Sequence, residues 1–459
     1  MACKCKSACF YEKDPKSIEA YAKQLVNKRL RDFLSSQERT EISKVFGKRG
    51  KGYFGNLIEK YYFGISPNSS SSPDFPQAGQ TGVELKTVPL KELKDGSYTR
   101  KERLVLGIIN YKEIVTESWE SSSFLKKNSL LLVIFYLWVK NILPIDYVIK
   151  IVNLWECSGD DLRIIRQDWE YIVTKIKEGK AQELSEGDTF YLGACTKGVD
   201  ASSMREQLGT TIKAKQRALA FKTRYVKVML ETLSGIKKDA EPIVKDFAKH
   251  PKSKTFEQIV IDKFDPFLGK SVEEIHRDTS LRITKRSKDY YAWLTRAILG
   301  VKKKNIEEFD KADVAMKIIR LHKNGMPKES MSFPAIRYAE IINEEWNTST
   351  FRELVSKKFF FVIFKYDDAG ILRLKKVMFW HVPYNDLETH VKRCWQETVR
   401  RIKEKRAHEL PKLSDNPVCH VRPHGRNKRD TSMTHYGIKV QKQSFWLNAR
   451  YLKNQVSIS

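Results

Sequence analysis

Three charged residues lie close together in the stretch PDFPQAGQTGVELKTVPL, residues 73–90. Period-two alternation in a β-strand places Glu84 and Lys86 on one face and their apolar neighbours on the other, and Asp74 comes shortly before them. Carboxylates are the hard oxygen ligands that Mg²⁺ takes together with a substrate phosphate. A lysine beside them can orient or deprotonate an attacking water and offset phosphate charge. The pattern, D…(D/E)xK, is typical of metal-dependent phosphodiester hydrolysis.

The chain contains an internal duplication, in which separated blocks recur in the same order at similar shifts. The blocks LVLGIINYKEIVTESWESSSF (104–124) and IKEGKAQEL (176–184) match MSFPAIRYAEIINEEWNTSTF (331–351) and IKEKRAHEL (402–410). The sequence therefore predicts two copies of one domain, residues 1–236 and 254–459, joined by a polar linker at 237–253.

Each copy shows the same interleaving of helical and strand patterns. In the first copy we expect helices at 53–63 and 162–179 and strands at 82–89, 103–109, 130–139 and 145–155. This order predicts an α/β fold with a mixed central sheet flanked by helices. The apolar run LLLVIFYLWV, residues 130–139, is too short to span a membrane and is interpreted as a buried strand.

The two copies differ where chemistry is expected. Aligning VELKTVPL (83–90) with VAMKIIRL (314–321), and the preceding helices with each other, gives these pairs: Glu84 and Ala315, Lys86 and Lys317, Glu59 and Thr295. Asp74 has no clear counterpart, although Asp310 lies near. Residues needed only for folding would be kept in both copies, so the lost carboxylates indicate a catalytic first copy and a degenerate second copy.

The same residues carry a resemblance to the MutH family of GATC-specific endonucleases. The MutH-like blocks are KGYFGNLIEKYYFG (51–64), PDF (73–75), GVELKTVP (82–89), WESSSFLKK (119–127), QDWE (167–170) and YLGACTKG (191–198). They follow the family order over most of residues 45–230. The doubled architecture is similar to MutH-related type II restriction enzymes, in which one half cleaves GATC and the other binds DNA as an effector. The resemblance implies two tandem restriction-endonuclease-like domains.

The resemblance also implies roles for individual residues. Glu59, Asp74, Glu84 and Lys86 match the catalytic residues of the family, with the three carboxylates as Mg²⁺ ligands, and Lys127 matches a further lysine that approaches the active site. Nine residues separate Asp74 from Glu84, which is longer than the family spacing. The role of Asp74 is therefore the one that this departure puts in question.

Candidate DNA-reading residues follow from the same resemblance. Lys51 and Gly52 match a loop that reads bases, and Thr196 and Lys197 lie in the second DNA-reading segment. Where the family has Arg-Pro, the first copy has Cys195-Thr196, whereas the second copy has Arg422-Pro423. Because arginine reads guanine with two hydrogen bonds, this pair suits a second half that binds DNA without cleaving it.

Composition supports a polyanionic partner. The net charge is +28, and 41% hydrophobic and 11% aromatic residues are enough for folded cores. Such a basic chain favours nucleic acid, since each neutralised phosphate releases counterions. The alternative is a basic protein without such a partner; no segment suggests a membrane surface. The N-terminus has no apolar signal-peptide region, and an odd number of cysteines, seven, suggests reduced thiols and a cytoplasmic location.

Several other residues have less specific interpretations. Cys3, Cys5 and Cys9 lack a fourth ligand at zinc spacing and suit a frayed tail with free thiols. A nucleophilic Cys195 would need a histidine partner. His420 and His424 suit phosphate contact or solvent exposure better than a metal pair. The tryptophans that recur in matched positions, Trp119 with Trp346 and Trp169 with Trp395, indicate shared core packing.

Together these features predict a Mg²⁺-dependent type II restriction endonuclease that cuts double-stranded DNA at GATC, 5′ to the G, with an allosteric second half. One active site must cut both strands of a symmetric target, which predicts a DNA-induced homodimer or two sequential nicks. A cognate GATC methyltransferase would be its functional partner. The alternatives are a non-cleaving DNA-binding regulator built from two nuclease-like folds and a MutH-like strand-nicking enzyme.

Overall fold

The fold was analysed in a computed structural model that describes residues 10–44, 52–66, 72–198, 202–236 and 239–457. The chain divides into two compact units. Unit 1 comprises residues 1–182 and 190–238, and unit 2 comprises residues 183–189 and 239–459. Each unit has its own hydrophobic core. No helix in the described ranges is long and apolar enough to cross a membrane.

The helices and strands of unit 1 alternate along the chain. Its α-helices are α1 Pro15–Lys23, α2 Ser36–Lys44, α3 Tyr53–Leu57 (continued by a π-helix, Ile58–Phe63), α4 Ser123–Asn128, α5 Gly159–Lys177 and α6 Thr223–Leu233. Its strands are β1 Glu84–Glu92, β2 Tyr98–Arg100, β3 Leu104–Ile108, β4 Leu130–Leu137, β5 Val148–Glu156, β6 Leu192–Thr196, β7 Met204–Gln207, β8 Thr210–Lys215 and β9 Arg217–Phe221.

The elements of unit 2 follow a similar order. Its α-helices are α7 Phe256–Asp262, α8 Val272–Asp278, α9 Tyr290–Leu299, α10 Glu307–Ala312, α11 Tyr338–Ile341, α12 Thr350–Val355, α13 Tyr384–Asp386, α14 Lys392–Lys403 and α15 Ala449–Ser457, with a π-helix at Leu387–Val391. Its strands are β10 Ala240–Glu241, β11 Asn305–Ile306, β12 Ala315–Leu321, β13 Met331–Ala335, β14 Phe359–Tyr366, β15 Leu372–Trp380, β16 Cys419–Pro423, β17 Thr431–Met433, β18 Lys439–Gln441 and β19 Gln443–Leu447.

The central sheet of unit 1 is mixed, with the strand order β2-β1-β4-β5. β1 pairs with β4 in parallel, and the other neighbours are antiparallel. Residues 131–135 of β4 are fully buried, as expected for an inner strand covered on both faces. A second, antiparallel sheet has the order β3-β9-β6, and β7 and β8 form a hairpin. The predicted α/β class with a mixed central sheet is confirmed.

Unit 2 repeats this topology, with the order β12-β14-β15 in its mixed sheet and β13-β19-β16 in its antiparallel sheet. β12 pairs with β14 in parallel, as β1 does with β4. The π-helical continuation of α3 and the aligned helix α9 each end at a glycine in the left-handed conformation, Gly64 (φ 75°) and Gly300 (φ 76°). The strand order and these helix ends give both units one scaffold, with unit 1 adding an outer strand, β2.

The segment that the sequence suggested as a linker is folded in its described part, residues 239–253. β10 pairs with β11, and Ile243, Val244 and Phe247 are buried. The buried carboxylate of Glu308 accepts hydrogen bonds from the backbone N–H groups of Ile243 and Val244. The linker prediction is therefore wrong for these residues. Apolar side chains spaced through a polar segment were sufficient to bury it in unit 2.

Candidate active site

A cleft of about 490 Å³ opens in unit 1 beside the start of α3 and the first half of β1. The residues that bear on function in its lining are Gly52, Asn56, Glu59, Lys86, Lys101, Arg103 and Lys197. The sequence brings them together because α3 and its π-helical continuation pack against β1. Gly55, on this helix, approaches β1 so closely that an added Cβ would lie 3.2 Å from the Thr87 Oγ1 atom.

Glu84 and Lys86 lie on one face of β1, as the alternation predicted. The Glu84 Oε1 atom accepts a hydrogen bond from Lys86 Nζ at 2.6 Å and lies 3.6 Å from Lys127 Nζ. The Glu84 side chain is almost completely buried, and its other oxygen, Oε2, has no hydrogen-bond partner among the described residues. Lys127 belongs to α4, whose N-terminus is capped by the side chain of Ser122. Two lysines therefore compensate one buried carboxylate.

Asp74 is oriented by a backbone contact. Its Oδ2 atom accepts a hydrogen bond from the N–H of Leu85 at 2.8 Å, and the flanking residues Phe75 and Val83 exchange two backbone hydrogen bonds. This contact fixes Asp74 beside Glu84 despite the long intervening loop. The longer spacing is thus accommodated by the loop without removing Asp74 from the vicinity of β1.

Asp74 and Glu84 lie close enough to Glu59 to raise its pKa, but the three carboxylates do not form a complete ligand set. Within the described ranges, no three acidic, histidine or cysteine side chains are grouped closely enough to hold a metal ion. Asp74 accepts a hydrogen bond from the backbone N–H of Leu85, and Glu84 accepts one from Lys86. The unpartnered Oε2 atom of Glu84 and the hard-oxygen character of all three groups nevertheless fit a small divalent cation.

The electrostatics of the cleft destabilise the charged form of its carboxylates. Burial, followed by repulsion from Asp74 and Glu84, raises the pKa of Glu59 to about 7. Burial also raises the pKa of Glu84, and the neighbouring Lys86 opposes that shift. Carboxylates that are costly to ionise in the absence of a ligand indicate a site built for an added positive charge.

We expect Glu59→Gln to stabilise the protein in EDTA at alkaline pH. Because the pKa of Glu59 is about 7 when folded and 4.5 otherwise, the folded state loses stability as pH rises through this interval. Removing the charge should increase the free energy of unfolding at pH about 8 by roughly 1–2 kcal/mol, allowing for solvent screening, and leave it unchanged at pH about 4. Urea denaturation of both proteins measures this. Glu92→Gln, on an exposed position of β1, is the control; equal stabilities at both pH values would contradict the assignment.

The candidate DNA-reading residues of unit 1 lie at the mouth of the cleft, except one. Lys51 is outside the described residues. Gly52 adopts the left-handed conformation (φ 93°) that begins α3. Thr196 and Lys197 are exposed at the end of β6, and Lys197 also lines the cleft. The structure thus brings the end of β6 and the start of α3 to the same opening, although they are far apart in sequence.

In unit 2, Arg422 and Pro423 are exposed at the end of β16. The Arg422 guanidinium carbon lies 3.8 Å from the centroid of the Trp446 ring on β19. The strand pairing agrees with the sequence alignment of Cys195 with Arg422. Cys195 pairs with Ala218 on β9, and Arg422 pairs with Ser444 at the equivalent position of β19. Stacking on an aromatic face uses the plane of the guanidinium group and leaves the N–H groups at its edge available as donors.

The remaining predictions concern core packing and histidine contacts. Trp119 and Trp169, like Trp346 and Trp395, are buried with ring centroids 5.7 Å apart, which confirms the shared packing. The histidines do not share a metal site. His420 Nδ1 lies 2.6 Å from Asn448 Oδ1, and His424 Nδ1 lies 2.9 Å from Ser444 Oγ. Cys3, Cys5 and Cys9 lie outside the described residues.

Sequence reasoning missed two features of unit 1. Lys101 and Arg103 line the cleft, and the charge run TRKER (99–103) was the available signal. Asp168 was noted only as part of QDWE, yet its buried carboxylate accepts hydrogen bonds from the backbone N–H groups that lead into β6, at 2.6–2.9 Å. It anchors the strand whose end carries Thr196 and Lys197.

Comparisons with known proteins identify relatives of both units. The family model "DNA mismatch repair enzyme MutH" matches residues 63–168 and 299–391, one segment in each unit. The chain is 36% identical over 461 aligned residues to the type II restriction enzyme Sau3AI of Staphylococcus aureus, covering 89% of this chain and 93% of that protein. It is 28% identical to the DNA mismatch repair protein MutH of Shewanella woodyi, over 41% of this chain and 80% of that protein. The corresponding protein of Shewanella baltica is 26% identical over 41% and 82%.

Proposed function

The chain belongs to the family of MutH-related type II restriction enzymes, and we propose that it cleaves double-stranded DNA at GATC, 5′ to the G. As a member of this family it is a site-specific deoxyribonuclease that acts on DNA. The observation that carries the proposed site is the buried Glu84, bonded to Lys86 and close to Lys127 at the edge of a basic cleft. Unit 1 is assigned the cutting role, and unit 2, residues 239–459 with 183–189, is assigned DNA binding.

Asp74, Glu84 and Glu59 are the proposed ligands of Mg²⁺. When bound, the cation neutralises charge on the phosphate under attack. Lys86, which is hydrogen-bonded to Glu84, would orient the attacking water, and in its uncharged amine form it could take that water's proton. Lys127 approaches the same carboxylate from α4 and offsets negative charge at the phosphate. Lys197, at the opening, holds the DNA backbone in register with these groups.

The second unit is proposed to bind another GATC site and to stabilise the cutting state. Support comes from the matching scaffold, from Ala315 and Thr295 at the positions of Glu84 and Glu59, and from the stacked Arg422. Two chains that meet on DNA would provide one active site for each strand. A GATC methyltransferase is the proposed functional partner, because it would protect the host's own sites.

The proposed function is tested by incubating the full chain with plasmid DNA that carries several GATC sites, in Mg²⁺ or in EDTA, and sequencing the ends. Double-strand ends at GATC that require Mg²⁺ support the proposal. Nicks confined to one strand would favour a MutH-like nicking enzyme. Salt-sensitive binding to the same DNA without any cut would favour a non-cleaving regulator. In that case the longer loop after Asp74 would be the first feature to examine as the cause of lost cleavage.

We expect Arg422→Ala to abolish the increase in cleavage rate that a second GATC site on the same DNA produces. Wild-type protein should cut a two-site plasmid faster than a one-site plasmid, and the variant should cut both at the slower rate, because a guanine-reading arginine contributes about 1–3 kcal/mol to discrimination. Initial rates on matched plasmids measure the ratio. Arg429→Ala, at an exposed arginine in the loop that follows β16, is the control. If the variant keeps the wild-type ratio of the rates on two-site and one-site plasmids, Arg422 does not take part in binding the effector DNA.

A further inference from the structure

Unit 2 has a small cleft along β12, the strand that corresponds to β1. This second cleft has a volume of about 170 Å³ and is lined along β12 by Lys317 and Arg320. Lys328, Glu329, Ser330 and Ser332, from the loop before β13 and its start, complete its polar lining. The cationic side chains outnumber the one carboxylate, so the cleft is suited to an anion.

Lys317 stands where unit 1 has Lys86. Each is the third residue of the strand that pairs in parallel with the buried central strand of its unit. Ala315 occupies the first position, where unit 1 has Glu84. The scaffold has thus kept the lysine and lost the carboxylate that binds it in unit 1.

The electrostatic setting of Lys317 differs accordingly from that of Lys86. Lys86 Nζ is 2.6 Å from Glu84 Oε1. Burial lowers the pKa of Lys317, and no charged neighbour in the described part of the chain offsets this effect. By contrast, Arg320 is neutralised by Glu329 at 2.7 Å. A half-buried ammonium group without a counter-ion is destabilising, unless an external anion supplies the missing charge.

We propose that the second cleft binds a backbone phosphate of double-stranded DNA directly through Lys317, with Lys328 at its exposed mouth and the Ser330 and Ser332 hydroxyls as further donors. This inference rests on the proposed function, since it takes unit 2 to be a DNA-binding unit. It adds that the position of the lost catalytic site is a phosphate site. Because Ala315 and Thr295 supply no carboxylate, DNA binding at this cleft does not require a divalent cation. In unit 1 the carboxylates of Glu59, Asp74 and Glu84 would oppose binding of a phosphate at the corresponding position.

The test measures binding of a fluorescent duplex with one GATC site by the full chain in EDTA, over a range of salt concentrations. EDTA prevents cleavage, so the signal reports binding alone, and the comparison of variants assigns the contribution of unit 2. Lys317→Met should bind about tenfold more weakly, as expected for a charge-assisted contact, and the slope of log K against log salt should fall by about one. Lys317→Arg should restore most of the affinity. Lys252→Met, at an exposed lysine of unit 2, controls for the loss of one positive charge.

A folding defect can be separated from a binding defect by thermal denaturation. Lys317→Met removes an uncompensated buried charge, so its melting temperature should equal or exceed that of the wild type. Unchanged affinity and salt slope in Lys317→Met would overturn the proposal and leave the lysine as a packing residue with a solvated end. If inorganic phosphate stabilises wild type but not Lys317→Met, while both bind DNA equally, the site takes free phosphate and the DNA assignment is overturned.

The outcomes also separate this inference from the proposed function. Cleavage at GATC together with unaltered binding by Lys317→Met leaves the nuclease function intact and rejects only the phosphate site. Absence of both cleavage and binding by the wild-type chain rejects both. Weakened binding by Lys317→Met in EDTA, with Lys252→Met unchanged, supports the phosphate site.

Discussion

Glu84→Ala is expected to lower the rate of DNA cleavage by about a thousandfold or more while changing DNA affinity only a few-fold. Glu84 is the carboxylate through which Lys86 and Lys127 are brought to one point. Its unpartnered Oε2 atom is also the most direct candidate ligand for a divalent cation. Removing it would take away a proposed cation ligand and the partner that positions Lys86. Most of the affinity comes from phosphate contacts elsewhere on a basic surface and is therefore retained.

Cleavage of a GATC plasmid and binding of a GATC duplex in Ca²⁺ or EDTA measure the two quantities separately. Glu92→Ala is the matched control, since Glu92 is an exposed carboxylate at the far end of the same strand. The stability of Glu84→Ala should fall only modestly, because the loss of the Lys86 partner is offset by removal of a carboxylate whose ionised form burial disfavours. Loss of cleavage, binding and thermal stability together would show that Glu84 supports the fold and not the chemistry.

Asp168→Ala is expected to lower the free energy of unfolding by about 3–5 kcal/mol, the largest effect on stability that we predict. The Asp168 carboxylate is buried and accepts hydrogen bonds from the N–H groups of Phe190, Tyr191 and Leu192 at 2.7, 2.6 and 2.9 Å, with the last two sharing Oδ2. Alanine leaves three buried donors without their acceptor. Each unsatisfied donor costs about 1–3 kcal/mol, and local relaxation reduces the sum.

The effect should extend to DNA binding, because these three residues precede the end of β6 that carries Thr196 and Lys197. Asp168→Asn, whose amide can accept at one oxygen only, should lie between wild type and alanine in stability. Chemical denaturation gives the stabilities, with Glu170→Ala as a control on an exposed position of α5. If Asp168→Ala has the same free energy of unfolding as the wild type, solvent or neighbouring groups must satisfy the three donors. The anchoring role of Asp168 is then refuted.

Much of the scaffold could be predicted from local patterns in the sequence. The apolar run of β4 and the helical spacing of α5 depend on neighbours a few residues away, so composition and periodicity were sufficient. The shared face of Glu84 and Lys86 follows from the two-residue repeat of a strand. The second copy supplied a comparison within one chain, in which the scaffold persists and the carboxylates do not. Boundaries were less predictable, as the folded residues 239–253 demonstrate.

What the tertiary structure alone decided is which distant groups meet. Lys127 reaches Glu84 only because α4 precedes β4, which pairs with β1; no local pattern encodes that 3.6 Å contact. The stacking of Arg422 on Trp446 depends likewise on the pairing of β16 with β19. Packing also determined that Asp74 accepts a hydrogen bond from the backbone N–H of Leu85 and that Lys317 has no counter-ion among the described residues. Periodicity specifies the face on which a side chain lies, whereas hydrogen bonds and charges across elements determine its partner.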